Sequence, residues 1–253
     1  MELYKYSGAG NDFIVLDGRT EDVSEYRQSD RICSLCSRRN GYRAADGRVG
    51  ADGLMILSPS DICDFRMEFF NPDGSSGMMC GNGGRCIVAF ADYLGIRPGS
   101  GIDAFVFEAA DGMHSAEILS REGALSTVRL RMIDVTEYHR ELGGWFVDTG
   151  TRHLVLFVPD VDEVDVETVG REYRWNPIFA PDGVNVNFVS RSDGDRAIHV
   201  RTFEKGVEAE TLACGTGITA SAVASYLESG RNACDPVRYE VQARWDRLSV
   251  EFV

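Results

Sequence analysis

The sequence predicts an α+β protein of two related, pseudo-symmetric halves, each a β-rich, barrel-like domain wrapped around a central helix. Three observations predict it. A cysteine followed at once by Gly-x-Gly and a helical run occurs twice, at Cys80 and at Cys214, 134 positions apart (214 − 80). Short strand-like segments recur in the same order ahead of both copies. The helix after the second copy, Ile218 to Glu228, is small or apolar on nearly every face, a pattern that demands burial all round. Such a helix among many short strands implies strands curling about it.

Taken in order, Leu3 to Tyr6 reads as a short strand and Ser7-Gly-Ala-Gly10 as a turn. Asn11 to Leu16 resumes as a strand, and Ser24 to Arg38 is mixed and helical. Asn40 to Gly50 is a polar, Gly- and Arg-rich loop. Ala51 to Leu57 reads as turn then strand, Cys63 to Phe70 as a strand, and Asn71-Pro-Asp-Gly74 as a turn with Pro early and Gly late. The helix after Cys80 runs to about Leu94, where Gly95 stops it. Phe105 to Glu108 and His114 to Leu119 form a hairpin joined at Asp111-Gly112.

The second half repeats this grammar. Gly150-Thr-Arg-His-Leu-Val-Leu156 echoes Gly10 to Leu16, an offset of 140 (150 − 10). Asp182 to Phe188 echoes Asp52 to Leu57, offset 130 (182 − 52), and Ile198 to Phe203 precedes Cys214 as Phe65 to Phe70 precedes Cys80. Nearly constant offsets in one order indicate an internal duplication. The expected halves are 1–119, carrying Cys80, and 120–243, carrying Cys214. The final strand, 244–253, is expected to return to the first half.

At 253 residues and 43% apolar, the chain can bury two ordinary cores. Its net charge of −14 argues against nucleic acid and anionic membrane as partners. The start of the chain has no apolar run of signal-peptide length and nothing later approaches a membrane span, so the sequence reads as cytoplasmic. Seven cysteines without a secretion signal read as free thiols. A homodimer is compatible with the sequence but not required by it.

The chemistry centres on Cys80 and Cys214. A helix start favours a thiolate or a bound carboxylate, and its free N–H groups can hold either. Two thiols facing one carbon and sharing a proton would remove a hydrogen from one side and return one from the other, inverting the configuration. The bland alternative, small buried residues before helices, is less favoured because the Gly-x-Gly context is duplicated. It is preferred for Cys33, Cys63, Cys86 and Cys234. The Cys33-x-x-Cys36 pair has no second pair at zinc spacing, so one helical turn with two half-buried cysteines is the better reading. Gly215-Thr-Gly-Ile-Thr-Ala220 formally matches a dinucleotide fingerprint with Asp235 beyond it, but Cys214 occupies the turn and Asp235 precedes a proline. Asn71, Glu204 and Lys205, in turns ahead of the cysteines, suit an amino-acid substrate. Asn11, His153 and Asn185, at matching strand starts, are candidates by the same logic.

These residues resemble the diaminopimelate epimerase family: Gly-Ala-Gly-Asn-Asp-Phe near the start, Gly-Ala-Asp-Gly at 50–53, Asn-Pro-Asp-Gly-Ser at 71–75 and Cys-Gly-Asn-Gly-x-Arg at 80–85. Asn-Val-Asn-Phe at 185–188, Glu-Lys-Gly at 204–206 and Glu-Thr-Leu-Ala-Cys-Gly-Thr-Gly at 210–217 complete the match. The resemblance implies two pseudo-symmetric domains with the active site between them. It also implies cofactor-independent interconversion of LL- and meso-diaminopimelate for lysine and peptidoglycan synthesis, with no metal. By matching position, Cys80 and Cys214 would be the acid/base pair. The backbones of Gly81-Asn82 and Gly215-Thr216 would hold the α-carboxylate. Asn11, Asn71, Asn185, Glu204 and Lys205 would bind the remaining amino and carboxylate groups. The chain departs from the family at Gly150-Thr151-Arg152-His153, where Gly-Asn-Pro-His is usual, at Lys205, where Arg is usual, and in a longer 40–48 segment. A racemase of proline, hydroxyproline or histidine, a thiol or nucleotide-dependent redox enzyme, and an amino-acid binding protein are the competing readings.

Overall fold

The computed structural model describes residues 1–77, 80–99, 103–192, 194, 196–230 and 236–253, and the chain divides into two units, Met1–Arg131 and Met132–Val253. The first contains β1 (Tyr4–Gly8), β2 (Asn11–Asp17), α1 (Ser29–Cys36), β3 (Gly53–Ser58), β4 (Phe65–Phe70), α2 (Gly81–Tyr93), β5 (Phe105–Ala109), β6 (Gly112–Glu122) and β7 (Leu125–Leu130). Its seven strands form one sheet in sequence order, with β2–β3 and β4–β5 parallel and the other neighbours antiparallel.

The sequence of β2 and β3 is apolar on both faces because both faces are covered. Phe13, Val15, Met55 and Leu57 pack in one cluster with Ile87, Val88 and Phe90 of α2, while Ile14, Leu16, Leu54 and Ile56 pack in another with Ile32 and Leu35 of α1. The sheet thus curls round α2. That helix ends in a Schellman motif: Gly95, at φ +78°, donates to Asp92 O at 3.0 Å, and Ile96 donates to Ala91 O at 3.0 Å. Ile96 then packs on the α2 core.

The second unit contains β8 (Tyr138–Glu141), β9 (Gly144–Asp148), β10 (Arg152–Phe157), α3 (Val166–Arg174), β11 (Asn185–Arg191), β12 (Ala197–Glu204), β13 (Ala209–Thr211), α4 (Gly215–Glu228), β14 (Val237–Gln242) and β15 (Arg247–Phe252). The sheet order is β15-β14-β12-β11-β10-β9-β8, with β13 on β12. Again the pairs that flank a helix, β10–β11 and β12–β14, are parallel. No described residue of α4 is exposed, as its all-round apolar sequence requires. On the opposite face, Leu154, Leu156, Val186, Phe188 and Phe203 pack with Val166, Val169 and Tyr173 of α3.

The duplication is visible in the pairing. β1 through β6 correspond to β9, β10, β11, β12, β14 and β15, α1 to α3, and α2 to α4. The tight turns at Gly10 and Gly150 share the same backbone angle, φ +93°. The row Val15–Met55–Phe69 takes the place of Val155–Asn187–Thr202. That sets the offset of β3 against β11 at 132 (187 − 55) rather than the 130 read from Asp52 and Asp182.

Four expectations change. The last strand does not return to the first half: β15 pairs with β14 over six residue pairs, from Val237↔Phe252 to Gln242↔Arg247. A tight hairpin, in which Ala243 donates to Asp246 O at 2.9 Å, makes that local pairing the direct one, as β6 follows β5. A boundary after residue 119 would cut β6, which runs to Glu122 and is followed by β7. The β5–β6 turn is Ala110-Asp111, with Gly112 opening β6 at φ +128°. Cys33 and Cys36 are not both half-buried: Cys33 is exposed and Cys36 buried. Cys234 and Asp235 lie outside the described residues.

Candidate functional site

In the first unit the polar candidates gather at the start of α2. Cys80 is its N-cap, in extended conformation at φ −103° and ψ 144°, and Gly83 N–H donates to Cys80 Sγ at 3.2 Å. Gly81 and Asn82 form the first turn and are buried. Asn82 Nδ2 donates to Asn11 Oδ1 at 2.7 Å, and Arg85 donates to Asn82 Oδ1. Asn11 Nδ2 donates to Asp52 Oδ2 at 3.1 Å, the oxygen that also accepts Asp12 N–H at 3.0 Å.

Behind Asp52 stands a charged cluster. Arg38 pairs with Asp52 and with Asp12, and Lys5 Nζ lies 2.7 Å from Asp12 Oδ2. Burial raises the Asp12 carboxyl, but hydrogen bonds from Arg38 and Lys5 outweigh it and hold the group below its ordinary value. The orientation of Asn11, and through it Asn82, is therefore fixed by a chain of charged contacts. Asn71 lies apart from this chain in the turn after β4, its Nδ2 donating to Ser75 Oγ at 3.0 Å.

In the second unit Cys214 is the N-cap of α4, at φ −104° and ψ 113°. Its Sγ lies 3.3 Å from Thr216 Oγ1. Thr216 Oγ1 is in turn 3.0 Å from Thr151 Oγ1 and 3.1 Å from His153 Nε2, and Thr151 Oγ1 is 2.9 Å from the same nitrogen. Four residues singled out in the sequence thus meet at one helix start. Thr151, where the family resemblance places an amide, keeps a polar contact there as a hydroxyl.

His153 is fully buried, and burial drives its pKa down to about 3, so the ring is neutral. Asn187 Nδ2 donates to His153 Nδ1 at 3.0 Å, while Asn187 Oδ1 accepts from Thr202 Oγ1 at 2.9 Å. With Nδ1 accepting, the proton lies on Nε2, which faces the two threonines. The floor beneath α4 is therefore a hydrogen-bonded row of imidazole, amide and hydroxyl. Its counterpart beneath α2 is Phe13, Met55 and Phe69.

Asn185 is 4% exposed and spends its amide inside the protein: Nδ2 donates to Arg152 O at 3.0 Å and Oδ1 accepts Lys205 N–H at 2.8 Å. Glu204, next to Lys205, has its carboxyl raised above the ordinary value by burial. Sequence reading missed Asn187, Thr202, Asp12 and Asp52. A signal for Asn187 was present, because Asn185 and Asn187, two apart in a strand, share one face. Burial pushes the Cys36 thiol up to about 11 and the Cys86 thiol up to about 12, and Cys63 donates to Phe65 O at 3.1 Å.

A family profile described as Diaminopimelate epimerase matches residues 3–121 and 145–245. Among curated relatives, diaminopimelate epimerase of Chlorobaculum tepidum is 43% identical over 242 residues, covering 94% of this chain and 88% of its own. That of Aquifex aeolicus is 41% identical, covering 90% and 82%. Among solved structures, a phenazine biosynthesis protein of the PhzF family from Bacillus anthracis superposes with a TM-score of 0.71 at 14% identity, over 99% of this chain and 91% of that one. A probable proline racemase from Agrobacterium radiobacter K84 gives 0.63 at 16%, over 98% and 83%. At those identities the structural likenesses speak to the fold alone.

Proposed function

Because the chain belongs to the diaminopimelate epimerase family, an amino-acid isomerase family, we propose that it interconverts LL- and meso-diaminopimelate by a two-base proton transfer at Cα. Cys80 and Cys214 are the bases, and no cofactor takes part. The thiolate of one removes the α-proton, the electron pair passes into the adjacent carboxylate, and the thiol of the other delivers its proton to the opposite face. The abstracted α-proton then rests on the first sulfur and the second is left as the thiolate, so the pair again carries one proton with the two roles exchanged. The product enters lysine and peptidoglycan precursor synthesis in the cytoplasm.

The observation that carries this reading is that both cysteines occupy the same place in the duplicated fold, the N-cap of a helix opening with Gly-x-Gly. An α-proton beside a carboxylate is weakly acidic, so catalysis requires stabilised negative charge on that group. N–H groups at helix starts supply it with little reorganisation. Backbone groups of Gly81-Asn82 and Gly215-Thr216 take the α-carboxylate. Asn11, Asn71, Thr151, His153, Asn185, Glu204 and Lys205 supply or support contacts to the remaining amino and carboxylate groups.

The test is incubation with LL- or meso-diaminopimelate in deuterated water without added cofactor. α-Deuterium and the second stereoisomer are expected with the native chain and lost in Cys80→Ala and Cys214→Ala. Exchange persisting after both substitutions would refute the mechanism. Exchange of proline stereoisomers, with none of diaminopimelate, would refute the substrate.

A further inference from the structure

Arg174, the last residue of α3, is 5% exposed, and its guanidinium joins two loops. Nη1 donates to Asp182 O at 3.2 Å, Nε donates to Glu208 Oε1 at 3.1 Å, and Nη2 lies 3.0 Å from that same carboxylate oxygen. The guanidinium carbon is 4.1 Å from the centre of the Trp175 ring. Gly183, at φ +71°, completes the fit, because a Cβ there would overlap Arg174 Nη1.

Glu208 is the other half of the device. It is a non-glycine residue at φ +59°, and its N–H closes the turn by donating to Glu204 O at 2.8 Å. Its carboxylate folds back to accept Gly206 N–H at 3.0 Å. A left-handed glutamate is unfavourable by itself, so the turn needs those side-chain contacts to persist. Lys205 lies inside this turn, and its N–H donates to Asn185 Oδ1. Asn185 stands two residues beyond Gly183. One buried guanidinium therefore braces the loop that leads into Asn185 and the turn after Glu204 that carries Lys205.

We infer that Arg174 is a positioning residue for substrate recognition, fixing the Glu204–Glu208 turn through Glu208 so that Lys205 and Asn185 hold their register. The inference rests on the functional reading above, in which those residues meet the substrate's amino and carboxylate groups. Arginine is needed because a planar fork reaches both Asp182 O and Glu208, whereas an ammonium is a single point charge.

The test is steady-state exchange with LL-diaminopimelate in deuterated water. Arg174→Gln and Glu208→Gln are each expected to raise KM about tenfold with kcat within about twofold. Arg174→Lys should recover part of the loss. In a Lys205→Ala background, Arg174→Gln should add less than about twofold, because its effect runs through the same turn. Equal factors in both backgrounds, a fall in kcat at unaltered KM, or a Lys205→Ala variant with native KM would each overturn the inference. Glu208→Gln decides the matter if Arg174→Gln does not fold. A native chain that exchanges no α-deuterium refutes the functional reading. A native chain that exchanges, with KM unmoved in Arg174→Gln and Glu208→Gln, refutes this inference alone.

Discussion

Gly83 and Gly217 occupy equivalent places three residues after each cysteine, and replacing each by alanine separates the two helix floors. A Cβ on Gly217 would overlap Asn187 Oδ1 and come within 3.3 Å of His153 Cε1. Asn187 is fully buried, and its amide joins Thr202 to His153. Displacing it strands two buried hydrogen-bonding groups at about 1–3 kcal/mol each. Alanine returns about 1 kcal/mol through its helix propensity. Gly217→Ala should therefore cost roughly 3 kcal/mol net, or about 6–12 °C in melting temperature for a chain of this size.

A Cβ on Gly83 meets Cys80 Sγ, Met55 Sδ and Met67 Cε, each at 3.3 Å. The methionine ends are flexible and can yield by a few tenths of an ångström, so the helix-propensity gain roughly cancels the crowding. Gly83→Ala should melt within about 3 °C of the native chain. Calorimetry on the two variants decides it. Equal melting temperatures, or a larger loss at Gly83, would refute the polar-floor argument.

Three further outcomes follow from the same contacts. His153 is held neutral with its pKa near 3, so the unfolded chain binds more protons than the folded one below about pH 6.5, and stability must fall as pH drops through that window. Between pH 6.5 and 5 the loss from this group should be about 1–2 kcal/mol in urea unfolding. His153→Gln should flatten that part of the slope, while Glu204, raised by burial, still titrates in the opposite sense. Asp12→Ala leaves the Lys5 ammonium, whose side chain is 7% exposed, without its carboxylate, and should cost about 3–5 kcal/mol by denaturant unfolding. Asp52→Leu removes the acceptor for Asn11 Nδ2 and is expected to raise KM for diaminopimelate about tenfold, read by the deuterium assay, with Asp52→Asn losing less.

What could be read in the sequence follows from where its signals arise. The Cys-Gly-x-Gly motifs, the apolar helix and the buried strands β2, β3, β10 and β11 announce themselves through local chemistry or through runs too apolar for solvent. β7 and β8 do not. Leu-Ser-Thr-Val-Arg-Leu and Tyr-His-Arg-Glu lie at or near a sheet edge, mostly exposed, where pairing alone makes the strand. α3 escaped for a related reason, its nine residues carrying four charges and a central glycine. At the site, the candidates next to the cysteines were legible through the duplication. Arg174 was not, because its partners lie in segments that nothing local links to it. The final strand was misjudged although the repeat already contained the answer: β14–β15 is the second copy of β5–β6.

The unlike floors beneath α2 and α4 also differ in their response to temperature. Phe13, Met55 and Phe69 are held by exclusion of water, a contribution with a large heat capacity that weakens on cooling. His153, Asn187 and Thr202 are held by oriented polar contacts with little of that dependence. Two halves descended from one ancestor thus carry different thermal signatures, and chilling should loosen the bed under Cys80 before the one under Cys214.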